Sequence, residues 1–225
     1  MANSTAHTLY AESQDGIYWI RPISSPVLNP GNYGTWDSHT VAPGPVIKDG
    51  QLYKMYYLGY SDPYGQYSIG LATSSDGKIW EKYQFPVISG STGWERQISP
   101  HSVIKKDGVY YLYYVGRDQT GQDRIGVALS NDGTNWAKYS GNPVLTPSQS
   151  WEGTGVSWPG VIYENGTFKM VYMKVGYESD AFGMATSSDG KIWIKSDNNP
   201  IFKAENTSNG WASDDIAYPC FKSWQ

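Results

Sequence analysis

A seven-residue motif, Ser-x-Asp-Gly-x-x-Trp, occurs four times and constrains the fold more than any other feature of this sequence. Its aspartates are Asp15, Asp76, Asp132 and Asp189, at spacings of 61, 56 and 57 residues. An Asp-Gly pair between β-prone segments is typical of a hairpin turn, because both residues tolerate positive φ. A second motif, Pro followed by two apolar residues, comes after each hairpin, at Pro26, Pro86, Pro143 and Pro200. The chain is therefore a repeat with a period near 57 residues.

Each full repeat contains four short β-prone segments and no helical pattern. In one copy they are Pro100–Ile104, Tyr110–Gly116, Arg124–Leu129 and the segment that carries Trp136. The composition agrees, since 15% of the residues are aromatic and 25 are glycine, which favours strands and tight turns. This arrangement predicts an all-β fold, a β-propeller of four-stranded antiparallel blades.

The repeat also predicts the domain organisation, a single propeller domain over residues 1–225. We expect a half blade at 8–30, full blades at about 36–90, 94–147 and 151–204, and the start of a further blade at 211–225. Closing a five-bladed ring would need about 60 more residues, whereas a four-bladed ring lacks only one strand. In either case the propeller is incomplete in this chain, and we expect a C-terminally truncated sequence.

Charge and cysteine content narrow the class of protein. A net charge of −4 provides no electrostatic footprint for phosphate backbones, so we expect neither nucleic acid nor a membrane surface as partner. The one cysteine, Cys220, cannot form an internal disulfide, and no Cys/His cluster has metal-ligand spacing. The N-terminal residues lack the basic and apolar regions of a signal peptide, which leaves the cellular compartment open.

Three segments carry a resemblance to a known group of enzymes: Trp36–Gly50, Tyr53–Gly59 and Ile69–Trp80. The chain resembles the five-bladed β-propeller glycoside hydrolases of the family 43 and family 32 group, which includes arabinanases and invertase-like enzymes. The resemblance extends from Tyr10 to Cys220. The resemblance implies activity on carbohydrates and allows for secretion. Some members of the group bind a calcium ion in the axial channel, and we expect no other cofactor.

The resemblance further implies acidic residues in the central funnel. Glycoside cleavage needs one protonated carboxyl group and one ionised carboxylate. In that group the acids lie one or two residues before the proline that opens the innermost strand. The corresponding positions here are Val41-Ala42, Ile98-Ser99, Ser157-Trp158 and Ala217-Tyr218, and none is a carboxylate.

Acidic residues do occur slightly upstream, at Asp37, Glu95, Glu152 and Asp214-Asp215. We assign Asp37 as the catalytic base and Glu152 as the acid, with Glu95 and Asp215 as substrate-binding residues. The alternative is structural: Trp36-Asp37, Trp94-Glu95 and Trp151-Glu152 are copies of one pair, and a feature present in every blade favours a contact between blades over a catalyst.

Residues that break the repeat are the remaining candidates for a sugar site. They are His39, Arg96, His101, Trp158 and Tyr218, and the loop after the second strand of one blade adds Arg117. Aromatic rings suit the apolar faces of sugars, and directional donors suit their hydroxyl groups. The alternatives are a hydrogen-bonded histidine for His101, core packing for Trp158 and solvated charge for Arg117.

These observations predict a glycoside hydrolase-like protein that cleaves O-glycosidic bonds of poly- or oligosaccharides. Its partner would be a carbohydrate substrate or ligand. The alternative is a propeller that binds carbohydrate without cleaving it, which the missing carboxylates before each proline would favour. A purely structural module is a third possibility.

Overall fold

The computed structural model describes residues 6–61, 65–176, 181–204, 216, 217 and 219. Within them the chain is all-β, as predicted, and its helical elements are two single turns of 3-10 helix, Gly93–Glu95 and Ser150–Glu152. No helix in these residues has the length and apolar character needed to cross a membrane. The chain forms two compact units, residues 1–90 and residues 91–225.

The first unit contains one six-stranded sheet. Its strands are β1 (Thr40–Ala42), β2 (Val46–Asp49), β3 (Leu52–Ser61), β4 (Gln66–Ser74), β5 (Glu81–Lys82) and β6 (Ile88–Ser89). β3 pairs with both β1 and β2, and β4 pairs with β3, β5 and β6, all antiparallel. Ahead of this sheet, in the predicted half blade, the structure has two isolated antiparallel bridges, Thr8 with Leu28 and Glu12 with Ile20.

The second unit contains two sheets of the same design. The strands of one are β7 (Gln97–Lys106), β8 (Val109–Arg117), β9 (Asp123–Ser130) and β10 (Ala137–Lys138). Those of the other are β11 (Gly155–Glu164), β12 (Thr167–Val175), β13 (Ala181–Ser187), β14 (Ile194–Lys195) and β15 (Phe202–Lys203). Consecutive strands pair antiparallel, and β15 pairs with β13.

The three sheets lie inside the three predicted full-blade ranges. The predicted start of a further blade, 211–225, falls outside the described residues except at 216, 217 and 219. The organisation of residues 1–225 as one domain stays a prediction.

The repeated hairpin motif folds as a side-chain-stabilised turn. In the third copy, Asp132 Oδ1 accepts hydrogen bonds of 2.7 Å from the backbone N–H groups of both Thr134 and Asn135, and Ser130 Oγ accepts one of 2.9 Å from Gly133. Gly133 has φ of 69°, the left-handed conformation that the Asp-Gly pair predicts. The backbone donors at this turn hold the pKa of Asp132 well below its usual range, so the turn aspartate is ionised at neutral pH.

Apolar side chains from both sheets of the second unit form its main core. Tyr113, Ile125, Val156 and Tyr172 are fully buried in this cluster. One polar contact also joins the two inner strands: Ser102 Oγ of β7 donates to Val161 O of β11 at 3.4 Å and accepts from Val161 N at 3.1 Å. The inner strands are thus held together by packing and by a hydroxyl group that replaces a backbone partner.

Candidate functional site

Both inner strands of the second unit contain a β-bulge at the same place. In β7, Pro100 pairs with Tyr114 and Ser102 with Tyr113, which leaves His101 as the extra residue. In β11, the register shifts by one residue between Ser157 and Gly160. A bulge bends its strand and re-aims a side chain, and bulges are common beside active sites.

The first unit interrupts its inner strand at the equivalent point. β1 ends at Ala42 opposite Leu58, and β2 begins at Val46 opposite Met55, so one extra residue lies between them. The intervening residues are Pro43, Gly44 and Pro45, and proline cannot donate to a strand ladder. The bulge is therefore a repeated feature, whereas the side chains that it carries differ from copy to copy.

In the second unit, the two bulges bring a histidine and a tryptophan together. The rings of His101 and Trp158 lie with their centroids 6.0 Å apart and their planes at 75°. Ser99 Oγ and His101 Nε2 lie 2.9 Å apart in a hydrogen bond. Trp158 adopts φ of 46°, an uncommon conformation for a residue with a side chain, which is often found at functional sites. We call Ser99, His101 and Trp158 the bulge cluster.

His101 is uncharged at neutral pH. Burial lowers the pKa of its imidazole to about 3, and no described carboxylate offsets that effect. A neutral imidazole has one donor nitrogen and one acceptor nitrogen. Beside the indole ring of Trp158, it places a directional polar group next to an aromatic surface, a combination that suits a sugar ring.

The predicted acids Asp37, Glu95 and Glu152 have the same surroundings in three blades. Each carboxylate accepts a hydrogen bond from a tyrosine hydroxyl and pairs with a lysine, and a tryptophan stacks on the tyrosine. The tyrosine distances are 3.0 Å (Tyr57 to Asp37), 2.9 Å (Tyr114 to Glu95) and 2.8 Å (Tyr172 to Glu152). The lysine distances are 2.7 Å (Lys82 to Asp37), 2.7 Å (Lys138 to Glu95) and 2.6 Å (Lys195 to Glu152). We call these the acid clusters.

Glu152 is the most enclosed of the three, with no solvent exposure. Burial alone would raise the pKa of its carboxyl group, but hydrogen bonds from Lys195 and from the backbone N–H groups of Gln149 and Ser148 outweigh it and lower that pKa. An ionised, fully paired carboxylate is a poor proton donor.

The contacts of Asp37 and Glu152 are thus those of the structural alternative. Both carboxylates are buried, and both repeat an arrangement that Glu95 also has. Their roles as catalytic base and acid stay predictions, and nothing in their hydrogen bonding favours them.

The other predicted residues have varied surroundings. His39, in the first unit, packs edge to face against Tyr60 with centroids 5.7 Å apart. Arg117 forms a two-pronged ion pair with the buried Asp123, at 2.6 and 2.9 Å, rather than being solvated charge alone. Arg96 is exposed and lines a cavity of about 750 Å³. Asp215 and Tyr218 lie outside the described residues.

Sequence reasoning missed Asp123, although it links the two sheets of the second unit. Besides pairing with Arg117, Asp123 accepts a hydrogen bond of 2.9 Å from Ser157 Oγ, and Ser157 is the residue before Trp158.

The lysines of the acid clusters could have been found from the sequence, because each follows a hairpin tryptophan by two residues. The three segments are Trp80-Glu-Lys82, Trp136-Ala-Lys138 and Trp193-Ile-Lys195. A cation at the same register as a repeated acid indicates a structural pair.

No group of three or more His, Cys, Asp or Glu side chains among the described residues is arranged to hold a metal ion.

Comparison with protein families identifies the group to which these blades belong. The model of glycoside hydrolase family 130, described as β-1,4-mannooligosaccharide phosphorylase, matches residues 100–220, just over half of the chain. The protein belongs to glycoside hydrolase family 130. Of the predicted site residues within the described part, His101, Arg117, Glu152 and Trp158 fall inside the matched segment, whereas Asp37, His39, Glu95 and Arg96 fall outside it.

Curated relatives of this family 130 chain include two with named activities. A 1,2-β-oligomannan phosphorylase of Thermoanaerobacter sp. is 29% identical over 202 residues, which are 86% of this chain and 63% of that protein. A β-1,2-mannobiose phosphorylase of the same strain is 29% identical over 133 residues, 52% of this chain and 43% of that protein. An uncharacterised Mycobacterium tuberculosis protein, Rv1502, is 27% identical over 211 residues, with coverage of 88% and 68%.

Solved structures show the fold of the family 130 chain. A thermostable family 43 glycoside hydrolase superposes with a TM-score of 0.67 at 26% identity, covering 85% of this chain and 65% of that one. The family 32 β-fructofuranosidase of Bombyx mori, as a variant in complex with sucrose, has a TM-score of 0.61 at 20% identity, with coverage of 73% and 36%. The chain thus spans about two thirds of the length of these relatives, at 68% of Rv1502, 63% of the oligomannan phosphorylase and 65% of the family 43 enzyme.

These findings confirm the predicted β-propeller class and the resemblance to the propeller glycoside hydrolases. They also support a glycoside-active protein, and the carbohydrate-binding alternative without cleavage is not favoured.

Proposed function

We propose that this protein cleaves β-mannosidic bonds with phosphate as the acceptor, and that the bulge cluster forms part of its sugar-binding wall. The observation that carries the proposal is the meeting of His101 and Trp158 at two bulged inner strands, inside the segment matched by family 130. The names of the Thermoanaerobacter relatives supply the substrate class and the acceptor.

In this reaction an oxygen of phosphate attacks the anomeric carbon of a mannosyl unit and the bond to the leaving sugar oxygen breaks. The leaving oxygen gains a proton and the attacking hydrogen phosphate loses one, so the products are mannose 1-phosphate and a shortened saccharide. Trp158 would stack on the apolar face of the sugar, and the neutral His101, bonded to Ser99, would hydrogen-bond a hydroxyl group.

The test measures the products that the protein forms from β-1,2-mannobiose and β-1,4-mannobiose, with and without inorganic phosphate. Mannose 1-phosphate that forms only in the presence of phosphate is the expected result. Formation of free mannose in the absence of phosphate would contradict phosphate as the acceptor. Binding of mannobiose without formation of any product would favour the alternative of a propeller that binds carbohydrate without cleaving it.

Variants then test the bulge cluster. His101→Gln and Trp158→Leu should each reduce kcat/KM by about tenfold or more, since each removes a group that contacts the sugar. The matched control is His7→Gln, because His7 is an exposed histidine that bonds Asn29 outside the bulge cluster. Unchanged kcat/KM in both bulge-cluster variants would place the sugar elsewhere.

The same assay tests whether the predicted acids, Asp37 and Glu152, are catalytic. Asp37→Asn and Glu152→Gln in a folded protein would abolish turnover if these residues were the base and the acid. Retained turnover would leave them as members of the acid clusters alone.

A further inference from the structure

A cavity of about 750 Å³ lies at the entrance to β7, beside the loop between β8 and β9. The residues that matter to its chemistry are Thr92, Trp94, Arg96, Asp118, Thr120 and Arg124. We call it the side cavity. Its volume falls in the range that holds a small organic ligand and far exceeds that of a single inorganic ion.

Arg96 provides a positive charge in the side cavity that the protein does not use. It is exposed and has no hydrogen bond or ion pair with any part of the chain that the structure describes. The other three arginines each have a partner: Arg21 donates to Ser24 O, Arg117 pairs with Asp123, and Arg124 pairs with Asp118. Arg96 also breaks the repeat, because the residues that follow the other two acids are Ser38 and Gly153.

Trp94 adds a second donor that its counterparts do not offer. In the equivalent positions, Trp36 Nε1 donates to Gln84 O at 3.1 Å and Trp151 Nε1 donates to Gln149 Oε1 at 2.7 Å. Trp94 lines the side cavity, and its Nε1 has no acceptor among the described residues. The ring itself is held firmly, because it stacks on Tyr114 with centroids 5.9 Å apart. A rigid indole N–H and a guanidinium group are thus available to the same ligand.

The charge of the side cavity selects the kind of anion. Asp118 Oδ2 pairs with Arg124 at 3.1 Å, and hydrogen bonds led by the Thr120 hydroxyl lower the pKa of Asp118 to about 2. These two charges offset each other, so Arg96 leaves the cavity with one net positive charge. A monoanion matches that single charge, whereas a phosphate dianion would leave one negative charge uncompensated in the side cavity.

The geometry points to a binding subsite for a saccharide unit that carries a carboxylate, a uronic acid, with Arg96 as its anion-binding residue. Guanidinium groups match carboxylates through two parallel hydrogen bonds. The hydroxyl groups of Thr92 and Thr120 and the indole of Trp94 supply the contacts that the sugar ring needs. The inference rests on the proposed function for the view that the ligand is a saccharide.

The experiment follows the Trp94 indole N–H resonance by NMR during titration at low salt. The two ligands are methyl β-D-mannopyranosiduronate and methyl β-D-mannopyranoside, which differ only by the carboxylate at carbon 6. The uronide should shift the Trp94 resonance with a Kd at least tenfold lower than that of the neutral glycoside. Trp94→Phe assigns the resonance.

Arg96→Gln should raise the Kd of the uronide at least tenfold and leave the neutral glycoside unaffected. Arg21→Gln is the matched control, since Arg21 is an exposed arginine that does not line the side cavity. Equal Kd values for the two ligands, or a preference for the uronide that survives Arg96→Gln, would overturn the inference. Tighter and equally Arg96-dependent binding of inorganic phosphate would also overturn it.

The outcomes separate this inference from the proposed function. Turnover of mannobiose without a preference for the uronide would refute the subsite and keep the phosphorylase. A preference for the uronide without turnover of mannobiose would keep the subsite and refute the phosphorylase.

Discussion

The acids of the acid clusters lie just ahead of the inner strands and the bulges lie within those strands, yet the two regions differ in one respect. The acid clusters have the same partners in three blades, a tyrosine, a lysine and a stacked tryptophan. The bulges recur too, but they carry Pro43 to Pro45 in one blade, His101 in the next and Trp158 in the third. The acid clusters repeat their side-chain contacts, whereas the bulges repeat a backbone shift and a proline but vary their other side chains.

This difference indicates that the acid clusters serve the fold and that the bulge cluster serves ligand binding. A contact that every blade needs is a requirement of the fold, because each sheet must be anchored in the same way. A backbone irregularity with variable side chains serves a different purpose, since the scaffold is kept while the chemistry changes. Variants in the acid clusters should therefore lower the free energy of unfolding, and variants in the bulge cluster should change the KM or kcat/KM for the sugar substrate.

The largest effect is expected for Glu152→Ala. It leaves Lys195, whose side chain is 11% exposed, as a buried charge without its carboxylate. Removing one partner of a buried ion pair costs about 3 to 5 kcal/mol of unfolding free energy. Denaturant unfolding measures the change. Glu164→Ala is the control, because its 2.7 Å pair with Lys169 is partly exposed and should contribute about 1 kcal/mol or less. Equal costs for the two variants would remove the distinction between a buried anchor and a surface pair.

A smaller effect is expected for Gly183→Ala, which tests the packing of the aromatic rings in the same cluster. A Cβ atom at Gly183 would lie 2.5 Å from Tyr172 Cζ and 2.7 Å from Trp151 Cη2. Overpacking of this kind costs about 1 to 3 kcal/mol. Thr186→Ala on the same strand, which creates no clash, should change the unfolding free energy by less than about 1 kcal/mol. If Gly183→Ala left the unfolding free energy unchanged, the rings of Tyr172 and Trp151 would not be held against the strand.

The pH dependence of His101 tests the bulge cluster. Its folded pKa of about 3 lies below the ordinary 6.5, so the unfolded chain takes up a proton first as the pH falls. His101 should therefore reduce stability progressively from pH 6.5 downward, by about 1 to 2 kcal/mol at pH 5. Comparison of urea midpoints for the protein and for His101→Gln at pH 7 and pH 5 measures this loss. An imidazole NMR signal that titrates near pH 6.5 would show instead that the ring is solvated.

The smallest effect on stability is expected for Trp158→Phe, at about 1 kcal/mol or less, because the ring is only partly buried. Its KM for mannobiose should nevertheless rise about two- to tenfold through the loss of aromatic contact. Trp151→Phe should show the opposite pattern, with reduced stability through loss of the 2.7 Å hydrogen bond from its Nε1 to Gln149 Oε1 and an unchanged KM. If Trp158→Phe lowered stability and left KM unchanged, both aromatic residues would belong to the scaffold.

Much of the fold was predictable because it depends on local chemistry that repeats. The Asp-Gly turns and the spacing of their tryptophans locate the hairpins, and the three sheets lie within the ranges that the repeat predicts. The partners of the acids were less accessible. Lys195 is 43 residues from Glu152 in sequence, and only the repeated register of the two residues connects them.

The bulge cluster was predictable only in part. His101 and Trp158 stood out because they break the repeat. The prolines of the inner strands mark the two register shifts, but they do not show that these two side chains meet. The role of Asp123 could not be predicted from the sequence for a different reason. Its hydrogen bond with Ser157 joins two blades across 34 residues, and no other described blade repeats that contact.

The hydroxyl group of Ser102 acts as a tie between the two inner strands of the second unit. It meets both the N–H and the C=O of one residue, Val161, and so occupies the position that a backbone group of a neighbouring strand would fill. A side chain attached in this way locks the register of β7 against β11 to a single residue. Because His101 precedes Ser102 directly, the distance across the bulge cluster is set by that tie rather than by the flexible ends of the aromatic side chains.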